Sequence, residues 1–243
     1  MTGDKGPALL FIHGMIWENW IGRSAATSDL LTPAALARFN AALDQPARRA
    51  DNGDAAPQGI HWCLCLPDAP TAELGNDGHP RRDESPESFM PPIPLPRRMW
   101  AASDVEFHTP ITAGSRIERR SMIVAIKEKN GSTGPLFFVD VAHETIADGV
   151  LAVSETQSVV FRAPAPICST PAAPISTPTA EPDLAGWQWH RSLTPNPAML
   201  FRYSALTFNS HRIHYDAPYA REEEGYPDLV VHGPLTATLL LDL

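Results

Sequence analysis

The chain is expected to be an α+β protein in which one helix packs against a run of long antiparallel strands. Residues 33–44 carry Leu36, Phe39 and Leu43 at helical spacing behind Pro33, a residue suited to the first turn of a helix. From about Trp100 the segments VEFHTPI, RIERRSMIVAIKEK, PLFFVDVAHETIAD and LAVSETQSVVFRA read as strands, separated by Gly-containing turns such as GSTG. A helix followed by consecutive antiparallel strands is the order in which a sheet can curl round the helix. Thr27 and Ser28 are the expected helix-capping residues.

The remaining elements follow in chain order. The first fourteen residues stand apart from a denser segment that opens at Met15, which leaves Met1 and Met15 both open as the biological start. Their LLFIHG portion resembles the strand and turn of an α/β-hydrolase, but the chain has no G-x-S-x-G nucleophile elbow to accompany it. Residues 61–66 read as a short strand on which His61, Cys63 and Cys65 share one face. That face suits zinc ligands or, more simply, a buried strand with soft apolar thiols. A loop rich in Pro, Gly and charge runs on to Pro96, and a loop of that length inside a domain often covers a site. Residues 163–182, APAPICSTPAAPISTPTAEP, have too little apolar surface to fold and read as an extended linker. Beyond it, LFRYSALTF reads as a strand, HYDAPYAREEEGYP as turns with a short helix and a solvated Glu222 to Glu224 run, and GPLTATLLLDL as an apolar helix.

Composition narrows the function classes. With 243 residues and 43% hydrophobic content the chain can bury a sizeable core. A net charge of −9 argues against nucleic acid or an anionic membrane as partner, because phosphate binding needs clustered positive charge. Three cysteines do not make a disulfide framework at this size, and no apolar run approaches the roughly 20 residues of a membrane span. The expected setting is the cytoplasm.

The chemistry concentrates in FRYSALTFNSHRIHYDAPYAREEEGYPDLVVHGPLTA. Asn209 and His214 stand five positions apart, followed by Asp216, and His232 and Gly233 open the last helix. This stretch, together with the upstream PPIPLPRRMWA, resembles the MaoC-like or type 2 3-hydroxyacyl-thioester dehydratase family, and within it the mesaconyl-CoA and itaconyl-CoA hydratases with a similar N-x-H-x-I-H pattern. The resemblance runs from Trp17 onward. It implies a double hot-dog fold: a non-catalytic unit over residues 15–162 and a catalytic unit over 183–243. It also implies addition or removal of water at the double bond of a short or dicarboxylic acyl-CoA thioester.

For that chemistry His214 suits the base, since an imidazole exchanges protons near neutral pH. The usual first member of the polar pair is aspartate. Asn209 can orient water but cannot move a proton, which leaves the return proton to His214 or to the nearby His211 and Asp216. The N–H of Gly233, at the positive end of a helix, suits an enolate oxygen, with His232 beside it. Arg97, Arg98 and Arg202 are the candidate cations for coenzyme A phosphates. No cofactor or metal is expected, since backbone N–H replaces a Lewis acid, and the H-x-x-H-x-D spacing is not a specific ligand signature.

Other readings stay open from the residues alone. His211, His214 and Asp216 could belong to an ordinary turn, and Trp100 and Trp187 read as core or interface aromatics before pocket walls. A carrier-protein dehydratase shares the mechanism. A hot-dog thioesterase would use the same groove for hydrolysis, and a non-catalytic acyl-CoA-binding module would need no acid. Because GPLTATLLLDL would be wrapped by strands arriving later, the second unit is expected to be truncated, with an open sheet edge that could pair two copies into a homodimer.

Overall fold

The structure, a computed structural model, describes residues 17–46, 49–131, 134–163 and 183–243. The hydrolase-like segment, the Met15 start and all but the first residue of the 163–182 linker lie outside the described residues.

Five strands form one antiparallel sheet: β1 (Ser24–Leu30), β2 (Arg97–Phe107), β3 (Arg116–Gly131), β4 (Gly134–Ala147) and β5 (Val150–Arg162), in the order β1-β3-β4-β5-β2. The β4–β5 connection is an Asp148-Gly149 pair with φ of 49° and 83°. Two successive positive φ values match the right-handed twist of a tight hairpin, and Asp-Gly is a sequence that adopts them readily. Helix α1 (Pro33–Ala42) begins as its proline predicts, but its cap is Thr32, whose side chain accepts from the Ala35 N–H. Thr27 and Ser28 lie instead in β1, an exposed edge strand whose sequence SAATSDL lacks the apolar alternation that would have revealed it.

Leu36, Phe39 and Leu43 of the α1 region bury their face against Ile117, Ala147, Ala152 and Val153 of the sheet. The helix thus packs against the sheet, and the α+β expectation stands. A second core cluster joins Trp20, Ile123, Val139, Val141 and Phe161 to Ile93 and Leu95 of the long loop.

Two further local expectations fail. Residues 60–63 form a 3-10 turn, not a strand, so His61, Cys63 and Cys65 do not share a face. Their alternation was short enough for a turn to satisfy, and Gly59, at φ 94°, starts that turn. The LFRYSALTF segment is helical as far as Leu206, within α2 (Pro197–Leu206), where Asn196 accepts from the Met199 N–H and Pro197 opens the first turn. Met199, Leu200 and Tyr203 fall on one helical face, a period hidden by the β-favouring aromatics.

Helices α3 (Ala217–Glu222) and α4 (Gly233–Leu241) complete the C-terminal region, which contains no strand among the described residues. It has no core of its own there: Met199, Leu200, Tyr203 and Leu235 join the α1 core. No helix among the described residues is long and apolar enough to cross a membrane.

Candidate active site

A cavity of about 730 Å³ separates the sheet from the C-terminal helices. Asn209, His211, His214, His232, Gly233, Arg97 and Arg98 all line it. Arg202 does not: it is exposed on α2. Asp216 is also elsewhere, because its carboxylate caps α3 through the Tyr219 N–H and pairs with Arg212 at 2.7 Å. With both oxygens committed, Asp216 holds the turn in place and is removed from the proton-transfer role expected of it.

The His214 turn is clamped by Val230. The Val230 N–H donates to the Ile213 carbonyl at 2.9 Å, and the Val230 carbonyl accepts from His214 Nδ1 at 2.7 Å. A carbonyl can only accept, so Nδ1 carries the proton and Nε2 is left as the basic nitrogen, with no protein partner among the described residues. The ring is 6% exposed, and burial lowers its pKa to about 4, against the favourable bond to Val230. His214 therefore rests neutral. It stacks on His232 with ring centroids 3.6 Å apart, and burial followed by the neighbouring His214 and His211 lowers His232 to about 3. Neutral rings can stack that closely; two imidazolium ions would repel.

His232 is fixed by Ser204 Oγ, 2.8 Å from its Nε2, and its buried Nδ1 has no partner. Gly233 opens α4, and its N–H donates to no acceptor among the described residues. A Cβ there would sit 2.2 Å from the Trp100 ring, so only glycine allows that ring against the helix start. Trp100 is pinned by its Nε1–H donating to Ser103 Oγ at 2.7 Å. It is a cavity wall, contrary to the core or interface role expected, whereas Trp187 is exposed.

Asn209 accepts the His211 N–H at 3.0 Å, so its amide shapes the loop that aims the histidines. His211 meets a residue group that sequence reasoning missed. Its ring lies 4.1 Å from that of His79, whose Nδ1 is 3.1 Å from Asp77 Oδ2. Burial first, then His79 and His214, lower His211 to about 3. Burial opposes ionisation of Asp77, but its hydrogen bonds with His79 prevail and lower it to about 2. The loop reaches this position because the Asp77 carbonyl accepts the Arg212 N–H at 2.9 Å, while Gly78, at φ 87°, passes so close to the Ser210 carbonyl that a Cβ would lie 1.9 Å from it. The long loop thus does cover the site. Asp77, Gly78 and His79 were legible only as part of the long loop, and nothing in it announced His211 as neighbour.

Metal donors converge at one point among the described residues: Asp77, His79 and His211 place ligand atoms within 4.8 Å of one another. His214 and Asp216 are not part of that set, and His61, Cys63 and Cys65 do not form one. Burial raises the Cys63 thiol to about 12, which disfavours the thiolate that zinc needs.

The sheet wall carries a second missed group. Ser121, His143 and Glu155 are cross-strand neighbours on β3, β4 and β5. Glu155 accepts Trp62 Nε1–H at 3.2 Å and Ser103 Oγ–H, and His143 Nδ1 is 2.7 Å from Ser121 Oγ. Their signal was polarity at inward positions of otherwise apolar strands. Of the expected cations, Arg97 pairs with Glu224 at 3.0 Å, so that glutamate belongs to the site rim and not to a solvated run.

The solved structures that resemble this fold include HtdX of Mycobacterium tuberculosis, with TM-score 0.54, 17% identity and coverage of 90% of this chain and 75% of that one. A MaoC-like dehydratase from Phytophthora capsici matches with TM-score 0.59 and 13% identity over 91% of this chain and 73% of its own. These likenesses show the hot-dog fold. In sequence, a mesaconyl-C(4)-CoA hydratase of Chloroflexus aurantiacus is 41% identical over 227 residues, 93% of this chain and 78% of that protein. A mitochondrial hydroxyacyl-thioester dehydratase type 2 of Schizosaccharomyces pombe is 28% identical over 76% of this chain, which spans 65% of its length. The model of hydroxyacyl-thioester dehydratase type 2 matches residues 59–243, the span that contains the cavity's histidines and both its walls. The chain therefore belongs to the hydroxyacyl-thioester dehydratase type 2 family.

Proposed function

We infer that the protein is a hydro-lyase that adds water across, or removes it to form, the α,β double bond of a short or dicarboxylic acyl-CoA thioester. The observation that carries this reading is His214, held by Val230 with Nε2 unpartnered in the same cavity as the free N–H of Gly233. In the hydration direction His214 Nε2 takes a proton from water as its oxygen bonds to Cβ. The π electrons move to the thioester oxygen, where the Gly233 N–H at the positive end of α4 stabilises the enolate. The enolate then collapses as Cα takes a proton, returned by His214 or through His211 and the His79–Asp77 pair behind it. Water's two fragments end on adjacent carbons and the imidazole is regenerated. The chain's own residues supply each of these roles.

The relative named for mesaconyl-C(4)-CoA favours coenzyme A over a carrier protein as the thioester handle. The deciding experiment incubates the protein with crotonyl-CoA and mesaconyl-CoA while following enoyl absorbance and free thiol. Loss of absorbance without thiol release is expected. Free thiol appearing in step with the absorbance loss would replace this reading by a thioesterase, and binding without turnover would replace it by a binding module.

A further inference from the structure

Two adjacent arginines on β2 have opposite fates. Arg97 is spent on Glu224 and on the carbonyls of Glu223 and Glu224. Arg98 lines the main cavity and a smaller one of about 120 Å³ beside it, yet among the described residues its guanidinium makes neither an ion pair nor a hydrogen bond. Its neighbours are already committed. Arg82 donates to the carbonyls of Ile93, Leu95 and Pro96, and Asp77, the acid it feels most, is bonded to His79. Burial, then the charge of Arg82, push the Arg98 pKa down, which is the mark of a cation lacking its counter-charge. A half-buried unpaired guanidinium is costly to keep, and an anionic ligand would offset that cost.

Position decides which anion. Arg98 shares its small cavity with Asp77 and His79, and His79 packs on His211, which neighbours His214. The thioester carbon must lie at His214 and Gly233, whereas coenzyme A phosphates stand a whole pantetheine arm away from it. A cation this close to the reacting carbons meets charge on the acyl group itself. A planar guanidinium with free N–H groups matches a carboxylate in bidentate fashion.

We propose that Arg98 is the subsite for a second carboxylate on the acyl chain, which makes the preferred substrates dicarboxylic enoyl thioesters. This assignment rests on the hydro-lyase reading for its meaning, but its test does not depend on turnover. Two stable thioethers of equal chain length, S-(3-carboxypropyl)-CoA and S-butyl-CoA, are titrated by calorimetry into the wild type, Arg98→Gln and Arg98→Lys. The wild type is expected to favour the carboxylated ligand by roughly 10- to 100-fold, the usual span for a hydrogen-bonded charge pair. Arg98→Gln should reduce that preference to about one, and Arg98→Lys, which keeps charge but loses the fork, should fall between. Equal affinities in the wild type, or a preference that survives both substitutions, would overturn the proposal. So would an equal weakening of both ligands, which identifies a phosphate contact. Should Arg98→Gln fail to fold, the wild-type preference and the lysine variant decide alone. Absence of hydration with the preference intact would remove the hydro-lyase reading and leave the subsite standing.

Discussion

The two walls of the cavity differ in how their polar groups are satisfied. On the sheet wall, Glu155 accepts from Trp62 and Ser103, His143 meets Ser121, and Arg119 donates to the His61 carbonyl. On the helical wall, His214 is held at one nitrogen only, His232 has an orphaned Nδ1, and the Gly233 N–H has no acceptor among the described residues. Glu155, His143 and Arg119, which line the cavity, are partnered in this way, while both ring nitrogens of His61 behind them lack a hydrogen bond; reactive chemistry needs groups with unused capacity at the cavity itself. Unused hydrogen-bonding capacity at the cavity lies with His214, His232 and Gly233, and the proposed chemistry is assigned to that wall.

The largest expected effect breaks the reactive wall directly. His214→Ala should lower kcat/KM by about 100-fold or more, the scale of general-base catalysis, while the thermal midpoint moves little. Activity kept above about a tenth of wild type would remove His214 from the role. Next comes Gly233→Ala, whose Cβ would meet the Trp100 ring at 2.2 Å. Overpacking of this kind costs about 1–3 kcal/mol, so a lowered melting midpoint should accompany an activity loss of at least about 10-fold as the helix start moves off its N–H position. An unchanged melt would show that Trp100 yields freely.

The pH dependence sharpens the same contrast on both walls. Burial first lowers His61, His211 and His232 to about 3 and His143 and His214 to about 4, below the usual 6.5. The unfolded chain therefore binds more protons between about pH 4 and 6.5, so stability should rise with pH across that window and fall as pH drops through it. Denaturant midpoints measured at pH 4.5, 5.5 and 7 test this, and a flat profile would contradict neutral buried histidines. The base should likewise remain competent at pH 5.5 under saturating substrate, well below the range of an ordinary histidine.

The smallest expected effect is that of Asn209→Asp. Since the Asn209 side chain accepts the His211 N–H, a carboxylate can replace it, and a loss below about 10-fold is expected. Complete loss at unchanged stability would show that the neutral amide is needed. Exhaustive chelation should also leave hydration intact; activity removed by a chelator and restored by one divalent ion would assign the Asp77, His79 and His211 donors a metal.

The strand run was legible because alternation over ten or more residues constrains every side chain, and the α1 helix because proline, spacing and length agreed. Where the pattern was short or mixed, as at residues 60–63 and in α2, tertiary packing chose between turn, strand and helix. The His214 motif and Gly233 could be read in the sequence because their spacing is local. By itself the sequence determined the long strands β2 to β5, the central helix and the local grouping of His214, His232 and Gly233. Only the tertiary structure decided that Asp216 serves Arg212 and α3, that Arg202 faces outward, and that Asp77 and His79, more than 130 residues before His211, complete the site. Local periodicity records which face a residue presents, but a hydrogen-bond partner is set by where distant backbone comes to rest, and no spacing in the chain encodes that contact.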